Sequence, residues 1–362
     1  MVLFAFIVAL SAVALCIVLP PWNAPMLIAA VIAIELSPFL FLLNLVTLVA
    51  ATMRLEYTRR RAAAVVLLIN LILTSVPLVL LVRERGTVPN LGSMFALRHT
   101  STVMRRDIPV VLGETATTIR AYLPDSWGPH PMIFAIYGGM WRHGSAQNDA
   151  VFNRKLAGLG YAVFALDYRH APQHRFPTAL EDIRAQMRLL RRTAAHYNAD
   201  PQRIAIIGHS SGGQLALLAG LAGGREVKAV ISYSGPIDLA DSYARPPSPD
   251  PLNIRAILRD YIGSTPEAAP RTYDAASPLM NIGSNPAPVL LLYGSRDHVV
   301  EVGPAVKLER VLKQHHAEVS ALYLPWAEHS FESVPLGLHG VIAWSAVTIF
   351  LHQHDPASQP SR

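Results

Sequence analysis

Residues 204–213 read I-A-I-I-G-H-S-S-G-G, and Q-L-A-L-L-A-G-L-A follows directly. A short apolar run of β type enters a tight G-x-S-x-G turn, and a small-residue helix leaves it. A strand-to-helix turn this sharp holds Ser210 in a strained backbone conformation with its hydroxyl exposed. Gly208 and Gly212 lack the Cβ atoms that would clash where strand and helix nearly touch. The helix that begins beside Ser210 also directs unbonded N–H groups at the hydroxyl, where developing negative charge would be stabilised. The five-residue pattern alone arises by chance in many chains; the strand before it and the helix after it give it meaning. Ser210 is the candidate nucleophile.

The same alternation continues outward from the turn. Apolar β-type runs fall at 108–112, 117–123, Met132–Tyr137, Tyr161–Asp167, Ile204–Ile207, Val227–Tyr233, Pro288–Tyr293 and Val319–Tyr323. Helical patterns fall near 147–159, 179–196, 212–222, 301–315 and 338–352. Regular β-α alternation with near-continuous apolar strands predicts an α/β fold, a mostly parallel sheet covered by helices on both faces. A proline- and serine-rich segment, 237–287, interrupts the rhythm after the sixth strand and carries a short helical stretch, Leu252–Tyr261. A small lid or substrate-pocket insertion would sit there; a plain surface excursion is the alternative.

A serine hydroxyl needs a positioned base at neutral pH. In this architecture the base comes after the last strand, where His329 stands in P-W-A-E-H-S-F; His339, on the following helix, competes. A histidine base needs an acid to fix its tautomer and stabilise the imidazolium. Asp297, in L-L-L-Y-G-S-R-D-H-V-V, ends the loop after a strongly hydrophobic strand, and Asp238 in G-P-I-D-L is the runner-up. The order Ser210, Asp297, His329 suits a strand-by-strand α/β chain. Charge on a substrate oxygen must meet fixed donors. The Ser211 N–H is one, and Gly138 and Gly139 in Y-G-G-M-W supply others because paired glycines let the main chain approach closely; the Met140 N–H is a further candidate.

The N-terminal quarter is different in kind. Three apolar stretches, 2–19, 24–53 and 62–82, are long enough to be read as membrane spans. The connection between the second and third carries Arg54, Arg59, Arg60 and Arg61, whereas Pro20–Asn23 has no charge. The positive-inside rule then places the arginine loop in the cytoplasm and the C-terminal domain on the outer face of a bacterial cell membrane; Arg83 and Arg85 argue the other way but flank Glu84. Glu35 is the one ionisable residue inside a span, by default a functional candidate. It precedes Leu36-Ser37-Pro38, a kink signal, and no span offers it a lysine or arginine, so a structural glutamate is the expectation. An arginine-dotted linker, 83–106, follows and could rest on anionic headgroups. The catalytic domain is expected over 107–354, with a disordered tail at 355–362.

Composition excludes several classes. The chain of 362 residues has one cysteine, Cys16, so no disulfide framework exists. No Cys/His spacing calls for a metal, and the His315–His316 pair belongs on a surface helix. The net charge of +6 is dispersed and not interleaved with aromatics as a nucleic-acid groove requires.

Together, Y-G-G-M-W, D-Y-R-H-A-P-Q-H-R-F-P with A-L-E-D (167–182), G-H-S-S-G-G, G-P-I-D-L and the two late loops resemble the α/β-hydrolase superfamily. The nearest branch holds hormone-sensitive-lipase-like, kynurenine-formamidase-like and feruloyl- or acetylxylan-esterase-like proteins, and the resemblance spans about 108–353. It implies carboxylic-ester hydrolysis through an acyl-enzyme with no cofactor, on a small-molecule or lipid ester. Acyl transfer and amide or formamide cleavage use the same triad, and a non-catalytic partner-binding role is the remaining alternative. The family motif usually begins H-G-G-x-W; here Tyr137 stands at the histidine position. Asp182 and Arg169 match positions that form an internal ion pair in the family. The membrane anchor is unusual for the branch and is similar to that of the membrane-bound prenylcysteine methylesterases, whose substrates are lipidated.

Overall fold

Strands that are apolar along both faces can only lie in the middle layer of a sandwich. The computed structural model, which describes residues 2–85, 102–222, 227–334 and 336–355, has that arrangement. Eight strands, β1 (Val103–Leu112), β2 (Thr115–Pro124), β3 (His130–Ile136), β4 (Ala162–Leu166), β5 (Ala199–His209), β6 (Val227–Tyr233), β7 (Val289–Gly294) and β8 (Val319–Leu324), form one sheet. Their order is β1-β2-β4-β3-β5-β6-β7-β8. β1 pairs antiparallel with β2, and β2 with β4; every other pairing is parallel. Alternate residues of β3, β4 and β5 feed two separate cores, Met132, Phe134 and Ile136 on one face and Ile133 and Ala135 on the other.

The parallel strands all end on one edge, so the loops that leave them gather there, as in open α/β sheets generally. Helices α5 (Ala150–Gly158), α6 (Thr178–Arg192), α7 (Ser211–Gly220), α11 (Gly303–Gln314) and α12 (Leu338–His354) cover the faces. The 237–287 segment is no detached excursion. Its helices α8 (Leu239–Ala244), α9 (Ile254–Ile262) and α10 (Pro270–Ala276) are short, and Ile257, Leu258 and Tyr261 of α9 are buried in the first core.

The N-terminal region departs from the expectation at its second stretch. Residues 24–53 are not one helix: α2 (Ala24–Glu35) and α3 (Ser37–Arg54) are separate, with Leu36 between them. Pro38 explains the break, because proline is at home in the first turn of a new helix and not in the interior of an old one. α1 (Val2–Val18) precedes them and α4 (Tyr57–Arg85) follows. Among the described residues, two helices, α3 and α4, are long and apolar enough to cross a membrane, against the three stretches expected; α1 and α2 fall short of that length. Asn70 of α4 donates to Asn44 Oδ1 of α3 at 3.1 Å and to Ser11 Oγ of α1 at 3.0 Å, tying three helices together. Two domain boundaries also shift. β1 starts at Val103, inside the expected linker, and Asp355 is buried against Arg203, so it belongs to the domain and not to a tail. The rest of both segments, 86–101 and 356–362, lies outside the described residues.

Candidate active site

Ser210 follows β5 directly and precedes α7, with φ 52° and ψ −122°. A non-glycine residue held there carries strain of about 1–3 kcal/mol, which the surroundings must impose. They do so by proximity. A Cβ on Gly208 would stand 2.1 Å from the Gly212 carbonyl oxygen, and one on Gly212 would stand 2.2 Å from that of Ile136. The Ser210 N–H donates to the Tyr233 carbonyl at 2.7 Å, fixing the turn to β6 as well.

The loops after β7 and β8 bring the other two expected residues to this hydroxyl. His329 Nε2 lies 3.0 Å from Ser210 Oγ, and His329 Nδ1 lies 2.8 Å from Asp297 Oδ2. Asp297 Oδ1 accepts the N–H groups of Val299 and Val300, both at 2.8 Å, so the carboxylate is held at its own loop and aimed by it. Burial alone would pull the His329 pKa down; the charge and hydrogen bond of Asp297, with Glu332 and Glu328 nearby, outweigh it and leave it raised. The two competitors are elsewhere engaged. Asp238 caps α8 by accepting the Asp241 N–H, and His339 pairs with Glu35.

Gly138, two residues after β3, lies over the nucleophile: a Cβ on it would come within 3.0 Å of the Ser210 Cβ, whereas one on Gly139 would meet the His143 carbonyl oxygen instead. Ser211 is the first residue of α7, so its N–H is among the donors a helix leaves unbonded. Tyr137, at the position where the family carries histidine, does the bracing by another route. Its hydroxyl donates to Asp167 Oδ1 at 2.6 Å and lies 2.9 Å from His170 Nε2, while its ring stacks on Tyr168 with centroids 4.5 Å apart. Trp141, two residues beyond the glycines, stacks on Tyr261 of α9 at 4.0 Å and donates to Gln214 Oε1 at 3.0 Å. The insertion therefore buttresses the glycine loop. Arg169 and Asp182 form the expected ion pair at 2.8 Å, away from the chemistry.

Sequence reading missed a layer of carboxylates behind the histidine. Glu328 is fully buried; its Oε1 accepts the N–H groups of His298 at 2.7 Å and His329 at 3.0 Å, and its Oε2 lies 2.6 Å from His298 Nδ1. It thus ties the Asp297 loop to the His329 loop. His209, beside the nucleophile, meets Glu332 at 3.1 Å. The signal was present in both cases: each carboxylate sits within three residues of His329 in a stretch otherwise apolar or small.

Glu35 has a partner that the sequence did not suggest. Its Oε1 lies 2.6 Å from His339 Nδ1, its Oε2 accepts the His339 N–H at 2.8 Å, and His339 Nε2 faces the Pro325 carbonyl at 3.0 Å. A second clamp lies nearby. The Arg296 guanidinium donates to the carbonyls of Ile17, Val18 and Leu19 at the end of α1, and Trp326 Nε1 donates to Ile17 at 2.9 Å. Arg296 adjoins Asp297, and Trp326 lies on the His329 loop, so the N-terminal helices are fastened to the loops that carry the site.

A mostly parallel sheet with a serine at a strained strand-to-helix turn, and a histidine and an aspartate brought to it from later loops, is the architecture of an α/β-hydrolase, and the chain's relatives make it one of the carboxylesterase type. Residues 120–312 match the BD-FAE family model, and the chain belongs to that family. Esterase LipC of Mycobacterium tuberculosis is 32% identical over 282 residues, covering 71% of this chain and 67% of LipC. Ethyl acetate hydrolase of Pseudomonas putida is 30% identical over 226 residues, covering 59% of this chain and 70% of its own. Among solved structures, a bacterial heroin esterase superposes with a TM-score of 0.61 at 26% identity, covering 75% of this chain and 90% of that one.

Proposed function

We propose that the chain is a membrane-anchored serine esterase that works through an acyl-enzyme. The observation that carries this reading is the unbroken line from Asp297 through His329 to Ser210, at 2.8 and 3.0 Å. In its first half-reaction, His329 Nε2 takes the Ser210 proton as Oγ attacks the ester carbonyl. The tetrahedral oxyanion rests on the N–H groups of Gly138, Gly139 and Ser211, and His329 returns the proton to the departing alkoxide. Water, activated by the same histidine, then releases the acid and restores Ser210. Asp297 holds the ring and stabilises the imidazolium without itself taking the proton. No step calls for a cofactor.

For the anchor, we take α1, α3 and α4 as spans. At 17 residues α1 covers about 25 Å, short of the ~30 Å hydrocarbon core by an amount that local thinning accommodates. Only 22% and 28% of the apolar windows of α3 and α4 is buried, whereas the core helix of a soluble domain would be mostly covered. The arginine-rich connection, 54–61, lies at the opposite end of α3 from Glu35, which faces the hydrolase domain. That supports a cytoplasmic arginine loop and an outward-facing site.

The test is direct. A fluorophosphonate probe should label Ser210, and Ser210→Ala should lose both the label and the hydrolysis of p-nitrophenyl acetate. A Ser210→Ala protein turning over at the wild-type rate would refute the triad. Product analysis with added alcohols separates free acid from transferred acyl group. Protease or cysteine-label access on intact cells reads the sidedness.

A further inference from the structure

Beside the triad runs a groove of about 480 Å³ whose one wall is the catalytic domain and whose other wall is α2. Leu27, Ile28, Val31 and Ile32 line it from the helix; His329, Ser333 and Val334 line it from the loop after β8. We infer that this groove holds the hydrocarbon chain of the ester substrate, which makes α2 a specificity-determining element of the site. The inference rests on the esterase reading above and goes further by naming the substrate class.

The lining chooses the occupant. Its side chains are apolar apart from His329 and two serine hydroxyls near the triad, so a charged portion would find no ionic partner along the α2 wall. Its size lies within the roughly 300–1,000 Å³ typical of small-molecule sites. The two faces of α2 also differ. Leu27 and Val31 are buried in the domain's core, whereas Ile28 and Ile32 are 61% and 45% exposed. The groove is therefore apolar from the catalytic histidine out to an uncovered apolar rim. Leu36, also on its lining, is the residue from which α3 departs. A chain lying in the groove would thus run from the scissile bond toward the hydrocarbon that surrounds α3. The wall cannot drift away, because Glu35 at the end of α2 is fixed to His339 and the end of α1 is fixed to Arg296. Such a wall is a built pocket side and not a passing helix.

The chain could belong to the acyl group or to the alcohol, and two substrate series separate these. With full-length protein in detergent, kcat/KM is measured on p-nitrophenyl esters from acetate to decanoate, and on alkyl acetates from ethyl to decyl. Each methylene fully removed from water is worth roughly fourfold. At least a tenfold rise along one series is expected, and that series names the side of the ester bond that enters the groove. Ile32→Trp and, separately, Ile28→Trp narrow the groove at its exposed rim and should lower the ten-carbon to two-carbon ratio at least fivefold. Val334→Trp should do the same from the opposite wall. A wild-type profile that is flat or falling in both series overturns the proposal without reference to any variant. So does a rising profile whose ratio none of the three substitutions moves. Loss of the underlying esterase reading would look different: Ser210→Ala would hydrolyse the whole series at the wild-type rate.

Discussion

Two buried histidine–carboxylate pairs stand on the same side of this molecule, and they differ in what lies beyond the ring. His329 meets Asp297 at 2.8 Å through Nδ1 and presents Nε2 to a hydroxyl. His339 meets Glu35 at 2.6 Å through Nδ1 and presents Nε2 to the Pro325 carbonyl. A hydroxyl can surrender a proton to the ring; a carbonyl oxygen can only accept one from it. The first pair can therefore relay a proton, and the second can only hold two elements together. Similar side chains, similarly buried, are given opposite tasks by one neighbouring atom.

The largest test of that contrast is to remove each histidine. His329→Ala should lower kcat on p-nitrophenyl acetate on the order of 10⁶-fold with the melting transition intact, as in other serine hydrolases. Asp297→Asn keeps the shape but leaves the ring in the wrong tautomer, and a loss of about 10⁴ is expected. Glu35→Ala should show the reverse pattern. Breaking a buried pair costs about 3–5 kcal/mol of stability, read as a lower melting temperature in detergent, and the double change Glu35→Leu with His339→Leu should recover part of it. If Glu35→Ala instead abolished turnover with no change in melting, the two pairs would not differ as described. Tyr137→Phe leaves Asp167 and His170 without their shared hydroxyl at the glycine loop. A hydrogen bond to a charged group is worth about 1.5–3 kcal/mol of stability, so the melting temperature should fall by less than for Glu35→Ala.

The smallest effect is a shift and not a loss. In the proposed mechanism His329 must be neutral to act as base, and its raised pKa keeps it protonated to a higher pH than an ordinary histidine. The acid limb of kcat/KM should accordingly have its midpoint above the ordinary 6.5, with activity present above it and lost as pH falls through it. Asp297→Asn removes the stabilising charge and should move that limb to lower pH.

The candidate site of this chain was more legible in its sequence than its assembly. Ser210, Asp297 and His329 each sit in the first few residues after a strand, and a parallel sheet brings strand ends together whatever the loops between them do. Gly138, beside Ser210 just after β3, could be placed there for the same reason. Glu35 could not, because its partner is 304 residues away and lies on a helix whose histidine looked like a rival base. Leu36-Ser37-Pro38 announced a bend in a long apolar stretch, but pattern alone could not say that the half before the bend turns inward onto the catalytic domain. Glu328 was hidden by its neighbour: beside His329, a carboxylate reads as surface charge until burial shows it bonding two loops at once.

Arg296 joins the N-terminal helices to the site. On the proposed reading of α1 as a span, its grasp of the final carbonyls of that helix, beside Asp297, leaves the hydrolase domain no swivel between anchor and site. An enzyme on a slack tether samples a hemisphere of solution; one bolted down in this way samples a fixed height above a surface. Its turnover would then track the mole fraction of substrate within the bilayer plane, and diluting that substrate with inert lipid would slow it even at constant bulk concentration.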